Sequence, residues 1–429
     1  MGSDTTRGRV LGRSLLLAAT SVAFTVGYWW TKGFRLRLIA DAGNALQKCD
    51  TVFVTPLHYL LVLGFQVPYC AALAVIDVRT WLWIQVGLWA LAVVLVYRAG
   101  AHLFDEPTGL LAGGAMAVTW ETFRFALRPQ SDLLLLFTVA VALWALARNE
   151  RLETRRSRLL VAASALLVAI TKPLGFPLVF GWGVWKLLSE GRGSAFDPRS
   201  PSPAGVAFYL GLAAISLFVV WSFFLPRLDV AYTDPDLYWR HGGFLSTAAS
   251  GIVVTHPHTP TVEYLYRSRP ASTVPAWLLL NADHLLVLGL WRASFFFVPV
   301  LPRWSTFHVV VNAVTILPLV VGTVAGARRL LAQRRYDRFG LLVAPVVANL
   351  LTVAILYVDG GFNYRAPSTL AFALLTAYWV RGVAADYGVD EPIENRLRAV
   401  ENRLRAVENR LWAVENRLGS LDEPAAGDR

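Results

Sequence analysis

Long apolar runs separated by short polar or basic stretches are the dominant pattern of the 429-residue chain. A helix needs roughly 20 apolar residues to cross a bilayer. The runs predict membrane spans at about 14–30, 81–103, 108–121, 131–147, 158–171, 173–188, 205–225, 307–326, 339–358 and 366–382. The spans that flank Lys172 are short and predict a tight hairpin with polar backbone turned towards a cavity. The fold class is therefore an all-α polytopic membrane protein with about ten transmembrane helices.

Two further apolar segments, 53–76 and 282–300, are interrupted by proline, histidine and charged residues. Arginine clusters at 148–158 and 328–338 are expected to be cytoplasmic, because basic loops favour that side of the membrane. Both clusters reach the cytoplasm only if the two interrupted segments do not cross completely, so we predict outer-face interfacial segments there. Both termini are then cytoplasmic. The outer regions become 31–80, 122–130, 226–306 and the short turn 359–365.

The composition agrees with this topology. Hydrophobic residues make up 55% and charged residues only 16%, too few to cover the surface of a soluble globular enzyme. The net charge is +11, but the basic residues lie in short clusters between apolar runs, as expected beside an anionic leaflet. We therefore expect the lipid bilayer, and no nucleic acid, as a partner.

The outer regions collect the residues that could perform chemistry. They contain the acids Asp41 and Asp50 and the cations Arg124, Arg128, Arg292 and Arg365. Glu121, Asp132 and Lys172 lie at the ends of spans on the same predicted side. An acid next to hydrocarbon is costly unless it faces protein, water or a ligand, although Asp132 could instead be a helix N-cap. Any single arginine could likewise only extend to lipid headgroups.

Cys49 and Cys70 lie on one side of the first span and could form a disulfide, but two unpaired thiols are the preferred interpretation. His256 and His258 do not complete a zinc ligand set.

Six motifs follow one another along residues 10–382. They are an outer loop with Asp41, an apolar segment with Pro56 and Tyr59, the stretch Tyr97–Phe104, the turn Arg128–Asp132, the break Thr171–Gly175 and the late motif Asn363–Pro367. In this order they resemble the GT-C superfamily of membrane glycosyltransferases, in particular the branch of protein mannosyltransferases and aminoarabinose transferases.

The resemblance implies a glycosyltransferase that uses a sugar on a polyprenyl phosphate, with Asp41 as the catalytic base. Asp50 and Asp132 are possible second acids. Donor phosphate binding is assigned to Lys172, Arg365, Arg128 and Arg124, and acceptor or sugar contacts to His58, Tyr59 and Glu121. Ala42 stands where the family has a paired acid, so no metal site is assigned and a divalent metal stays open as a cofactor.

A glycosyltransferase of this kind needs a carboxylate near the acceptor hydroxyl and cations near the leaving phosphate. The alternative is a non-enzymatic lipid-linked sugar transporter or flippase, which would favour internal repeats and ionisable groups at mid-membrane. The two halves of the chain show no repeat, and the acids lie in the outer regions. The enzyme on the extracytoplasmic face of the cell membrane is therefore the preferred hypothesis.

The C-terminal tail is a separate module. Residues 394–421 repeat every seven positions, with leucine and valine or leucine alternating at spacings of three and four. This spacing is typical of a coiled-coil seam and predicts a homo-oligomer, while a lone charged helix is the alternative. The expected organisation is a transmembrane domain over 1–388, which includes the outer loop region 226–306, followed by a cytoplasmic coiled-coil tail over 389–429.

Overall fold

A computed structural model of the chain describes residues 2–34, 49, 62–149, 154–190, 306–356 and 365–387, with isolated residues between 276 and 297 and between 401 and 409. Within these residues every regular element is helical. The helices are α1 (Gly2–Thr31), α2 (Leu63–Leu73), α3 (Val78–Leu103), α4 (Glu106–Val118), α5 (Trp120–Phe123), α6 (Ser131–Arg148), α7 (Arg155–Thr171), α8 (Gly175–Glu190), α9 (Thr306–Ala332), α10 (Tyr336–Leu356) and α11 (Thr369–Asp386). Two 3₁₀ turns, Arg124–Leu127 and Ala366–Ser368, precede α6 and α11.

Side-chain caps fix where several helices begin. Asp77 accepts a hydrogen bond from the Thr80 amide at the start of α3. Hydrogen bonding by the Thr80 side chain, and next by its amide, lowers the pKa of the exposed Asp77 carboxyl. Asp105 accepts one from the Thr108 amide at the start of α4. Because the first amides of a helix have no partner within it, these oxygens define the boundary between turn and helix.

Six helical stretches of the described chain are long and apolar enough to cross a membrane. They are Gly8–Thr31, Val78–Leu103, Ser131–Arg148, Val309–Ala332, Tyr336–Ala354 and Ala366–Asp386. The protein is thus a multi-pass membrane protein, but the ten predicted spans are not confirmed. The predicted spans 108–121, 158–171 and 173–188 are helices too short to cross alone, and the predicted span 205–225 lies outside the described residues.

The bundle is packed most closely where small residues lie between helices. A Cβ at Gly109 of α4 would lie 2.4 Å from the Tyr97 carbonyl oxygen of α3. A Cβ at Gly326 of α9 would lie 2.1 Å from the Leu375 carbonyl oxygen of α11. Helices in a bilayer associate through such close backbone contact, because lipid provides no hydrophobic drive between them. These two glycines therefore fix how α3 with α4, and α9 with α11, approach each other.

The chain divides into two compact units, Met1–Trp379 and Val380–Arg429. Only a few residues of the predicted tail are described; they are helical and include Leu404, which is 59% exposed. The predicted coiled coil and the domain boundary at 388/389 remain predictions, as does the cytoplasmic position of both termini.

Candidate functional site

The turn between α4 and α6 forms the centre of the site. The sequence predicts an outer turn over 122–130, and in the structure Trp120 to Leu127 are all buried. The Trp120 and Phe123 rings pack on Tyr28 near the end of α1. The Gln85 side chain of α3 donates to the Gln130 carbonyl at 3.5 Å. The turn is therefore inserted between helices, and two of its charged residues, Glu121 and Arg124, lie inside protein.

Arg124 lies in the buried part of this turn. Its Nε donates to the Glu121 carbonyl at 3.1 Å, and its guanidinium lies 4.8 Å from the Trp120 ring centroid and 4.9 Å from that of Phe125. Burial, and next the charge of Arg128, lower the pKa of Arg124 to about 9. Stacking on aromatic faces offsets part of the cost of burying this cation.

Asp132 and Lys172 form an ion pair. Lys172 Nζ donates to Asp132 Oδ1 at 2.6 Å, and the two side chains are 18% and 5% exposed, respectively. Asp132 lies in the first turn of α6, whose N-cap residue is Gln130, so the alternative that Asp132 is the N-cap is wrong. Lys172 has an extended backbone and ends α7, just before α8 begins at Gly175. The break predicted from the sequence thus places this cation beside the predicted second acid.

Glu121 and Arg365 form a second ion pair, which is completely buried. Arg365 Nη2 donates to Glu121 Oε2 at 2.5 Å and Arg365 Nε donates to Glu121 Oε1 at 3.1 Å. Arg365 Nη1 donates to the Phe296 carbonyl at 2.9 Å, and both charged side chains are 0% exposed. The family resemblance assigns Arg365 to the donor phosphate and Glu121 to the acceptor or sugar, and the sequence predicts neither their pairing nor the contact with Phe296.

The first outer loop is tied to this end of the bundle by a disulfide. Cys49 and Cys70 are bonded, so the preferred interpretation of two unpaired thiols is wrong. Cys70 belongs to α2, whose backbone passes so close to α7 that a Cβ at Gly64 would lie 2.8 Å from Thr171 Oγ1. Thr171 precedes Lys172. The disulfide thus anchors the loop, one residue before Asp50, to a helix that packs beside the Asp132–Lys172 pair.

Four predicted site residues, Asp41, Asp50, His58 and Tyr59, lie outside the described residues. Among the residues that are described, no group of three or more histidine, cysteine or acidic side chains could hold a metal ion. The described part of the site therefore contains Glu121, Arg124, Arg128, Asp132, Lys172 and Arg365, which we call the polar cluster.

No protein-family model and no curated protein matches this sequence. Solved structures do match. The apo oligosaccharyltransferase of Archaeoglobus fulgidus superposes with a TM-score of 0.53 at 14% identity, over 90% of this chain and 52% of that one. The chain has the fold of GT-C membrane glycosyltransferases. The fold that the order of motifs implied is thereby confirmed.

A second structure of the archaeal oligosaccharyltransferase AglB, from the same organism, holds an inhibitory peptide and a dolichol-phosphate. It superposes with a TM-score of 0.51 at 14% identity, over 91% of this chain and 52% of that one. The chain thus spans about half the length of both solved proteins. At this identity the likeness describes the arrangement of the helices, and the chemistry has to be argued from this chain's own residues.

Proposed function

We propose that this protein is a membrane glycosyltransferase that moves a sugar from a polyprenyl-phosphate donor to an acceptor on the extracytoplasmic face. The observation that carries the proposal is the polar cluster at one end of an apolar bundle. Four of its six side chains, Glu121, Arg124, Asp132 and Arg365, are buried. Buried charge in a membrane protein is expensive and is retained mainly where function needs it.

The Asp132–Lys172 pair is the part of the cluster that fits the donor phosphate. Lys172 is partly exposed, so a ligand can approach its ammonium while Asp132 holds the chain in place. Arg128 is also partly exposed, and its charge acts on the neighbouring Arg124. Preorganised cations of this kind stabilise the charge that develops on a leaving phosphate. We assign donor binding to Lys172 and Arg128, with Arg124 adding positive potential from inside the turn.

In the proposed reaction, the acceptor hydroxyl oxygen attacks the anomeric carbon of the sugar. Its proton passes to a carboxylate, which the family resemblance assigns to Asp41, with Asp50 and Asp132 as the other acids of the site. The bond between the anomeric carbon and the phosphate oxygen breaks, and polyprenyl phosphate leaves with the bonding electrons. The solved oligosaccharyltransferase with a bound dolichol-phosphate supports a lipid-linked donor for a chain of this fold.

The disulfide supports the extracytoplasmic face. Disulfides persist in oxidising compartments and are rare in the cytosol. The Cys49–Cys70 bond lies between the first span and α3, in the region whose outer position also follows from the arginine clusters. Two independent features, covalent chemistry and charge distribution, therefore favour the same side for the site.

The test is transfer by the purified full-length protein in detergent, supplied with polyprenyl-phosphate sugars and assayed for donor consumption. Asp41→Asn should reduce turnover at least a hundredfold, since general-base catalysis contributes about 10²–10⁴ and the amide cannot take a proton. Asp50→Asn is measured beside it. Asp77→Asn is the matched control, because an exposed helix cap keeps its acceptor oxygen in asparagine and should leave turnover unchanged.

Near-normal turnover in Asp41→Asn would remove Asp41 as the base. The transporter hypothesis predicts a different outcome: no donor consumption by the parent protein, but movement of lipid-linked sugar across vesicles that contain it. The two readouts together decide between the enzyme and the transporter.

A further inference from the structure

One buried arginine joins three segments that are far apart in the chain. Arg365 lies just before α11, Glu121 lies 244 positions earlier in α5, and Phe296 lies 69 positions earlier in the region 226–306. Arg365 uses Nε and Nη2 for the two carboxylate oxygens of Glu121 and Nη1 for the Phe296 carbonyl. A guanidinium is rigid and planar, so three bonds in different directions fix the relative positions of the three segments.

The side chain of Phe296 strengthens the same junction. Its ring is 0% exposed and lies edge-on to Phe372 of α11, with 6.3 Å between the ring centroids. The helix that follows this region, α9, packs against α5. Both the backbone and the ring of Phe296 are therefore held at the junction of α5 and α11.

We infer that Glu121, Arg365 and the Phe296 carbonyl form a clasp that positions the C-terminal end of the outer loop region 226–306 against the turn Thr119–Gln130 and the start of α11. Arg365 is then a positioning residue, and not the phosphate ligand that the sequence suggested. Its complete burial favours this role, because a phosphate on a lipid carrier could reach the guanidinium only after the Glu121 pair opened. The clasp does not depend on the proposed glycosyl transfer.

The test is hydrogen exchange measured by mass spectrometry on the full-length protein, with peptides that cover 290–300. Arg365→Lys keeps a charge for Glu121, but its single nitrogen cannot serve the carboxylate and the Phe296 carbonyl with the same geometry. We expect exchange in 290–300 to accelerate roughly tenfold, while peptides from α3 exchange as in the parent protein. Arg13→Met is the control, since Arg13 forms a 2.5 Å pair with the partly exposed Glu106 elsewhere in the bundle.

The double variant Glu121→Leu/Arg365→Met separates positioning from stability. Replacing a buried ion pair by apolar side chains of similar volume is often neutral for stability. We therefore expect its Tm to lie within about 3 °C of the parent value, while exchange in 290–300 stays fast because the bond to Phe296 is gone. Parental exchange in Arg365→Lys, or recovery of both Tm and exchange in the double variant, would overturn the clasp. If Arg365→Lys fails to fold, exchange in the double variant decides alone.

Discussion

At the scale of single residues, Lys172 combines two properties that a phosphate ligand needs. It lies in the break between α7 and α8 with its ammonium bonded to Asp132, and 18% of the side chain stays exposed. A fully buried cation could not meet a lipid carrier, and a fully exposed one would gain little, because water screens its charge. Arg365 is a fully buried cation of this kind, whereas Lys172, in the break between α7 and α8, is partly exposed.

Lys172→Ala should weaken donor binding. The variant removes a charge-assisted hydrogen bond worth about 1.5–3 kcal/mol, so the donor KM should rise roughly tenfold or more. Lys172→Arg should lose less, since it keeps the charge. The measurement is the initial rate of donor consumption against the concentration of polyprenyl-phosphate sugar.

Lys186→Ala is the matched control for this variant. Lys186 lies about 20 Å further along α8, where its ammonium lies 5.8 Å from the Trp185 ring centroid. Its removal should leave the donor KM unchanged. Equal and small effects at both lysines would mean that Lys172 only stabilises the protein through Asp132.

The sequence identifies the residue types of the site but not their partners. A charged side chain at the end of an apolar run is costly next to hydrocarbon and is therefore a candidate functional residue. This argument identifies Glu121, Asp132, Lys172 and Arg365. The pairs join positions that are 40 and 244 residues apart, and no local spacing encodes such a contact. The carbonyl of Phe296 carries no sequence signal at all, since every residue has a carbonyl group. Burial of the turn at 120–127 is likewise a property of the packed bundle.

At the scale of elements, α2 and its disulfide connect the first outer loop to the rest of the site. Phe65, Tyr69 and Trp81 form a small buried cluster around Cys70, and Gln66 Nε2 donates to Cys70 Sγ at 3.1 Å. Burial raises the pKa of the Tyr69 phenol to about 12, which shows how far water is excluded there. The disulfide thus links the loop that carries Asp41 and Asp50 to this buried cluster at Cys49.

Breaking the disulfide should reduce transfer without unfolding the helical bundle. The double variant Cys49→Ser/Cys70→Ser removes the covalent link between the loop and α2. We expect this to make the positioning of the proposed base less precise, so turnover should fall about tenfold or more. The helix content, measured by circular dichroism, should not change, because the large core of the bundle does not include the cysteines. Adding a thiol reductant to the parent protein should have the same effect on turnover.

The serine variant also controls for the reductant, since its remaining activity should not respond to it. Full activity of the reduced parent protein would show that the anchor is not needed for transfer. Loss of helix content in the variant would instead assign the disulfide to the stability of the whole bundle.

Helix positions are well predicted from the apolar runs, whereas the number of helices that can cross the membrane is not. The predicted runs at 108–121, 158–171 and 173–188 correspond to α4, α7 and α8. Their boundaries are set locally: Asp105 caps the start of α4 and Thr119 lies at its end. The extended backbone of Lys172 ends α7 before α8 begins. The non-crossing interpretation of 53–76 agrees with α2, which has 11 residues and contains Pro68. With only two cysteines, the sequence offered no pattern that would favour the disulfide over free thiols.

At the scale of the whole molecule, the tail predicts an assembly of several chains. Four heptads over 394–421 supply eight seam positions, with leucine at one and valine or leucine at the other. Leu404, one of these positions, is 59% exposed in the single chain. A helix of this length is marginal alone in water and gains stability by burying its apolar stripe against a second copy. Leucine followed by a β-branched residue favours three or four strands over two.

Cutting the chain after Val389 should therefore lower the oligomeric state without lowering the activity per chain. In the predicted topology the tail leaves the last span on the cytoplasmic side, a membrane thickness of about 30 Å from the proposed site. The measurement is the number of chains per particle in detergent, obtained from the protein mass by light scattering, together with turnover per chain.

Leu404→Lys/Leu411→Lys should mimic the truncation, because like charges would meet in the seam. The matched variant Arg405→Lys, which keeps the charge pattern outside the seam, should assemble like the parent. Val407→Cys should cross-link between chains under oxidising conditions, and only when the seam leucines are intact. An unchanged number of chains per particle after truncation would leave the tail as a lone charged helix, held by glutamate–arginine pairs such as Glu401 with Arg405 four positions later.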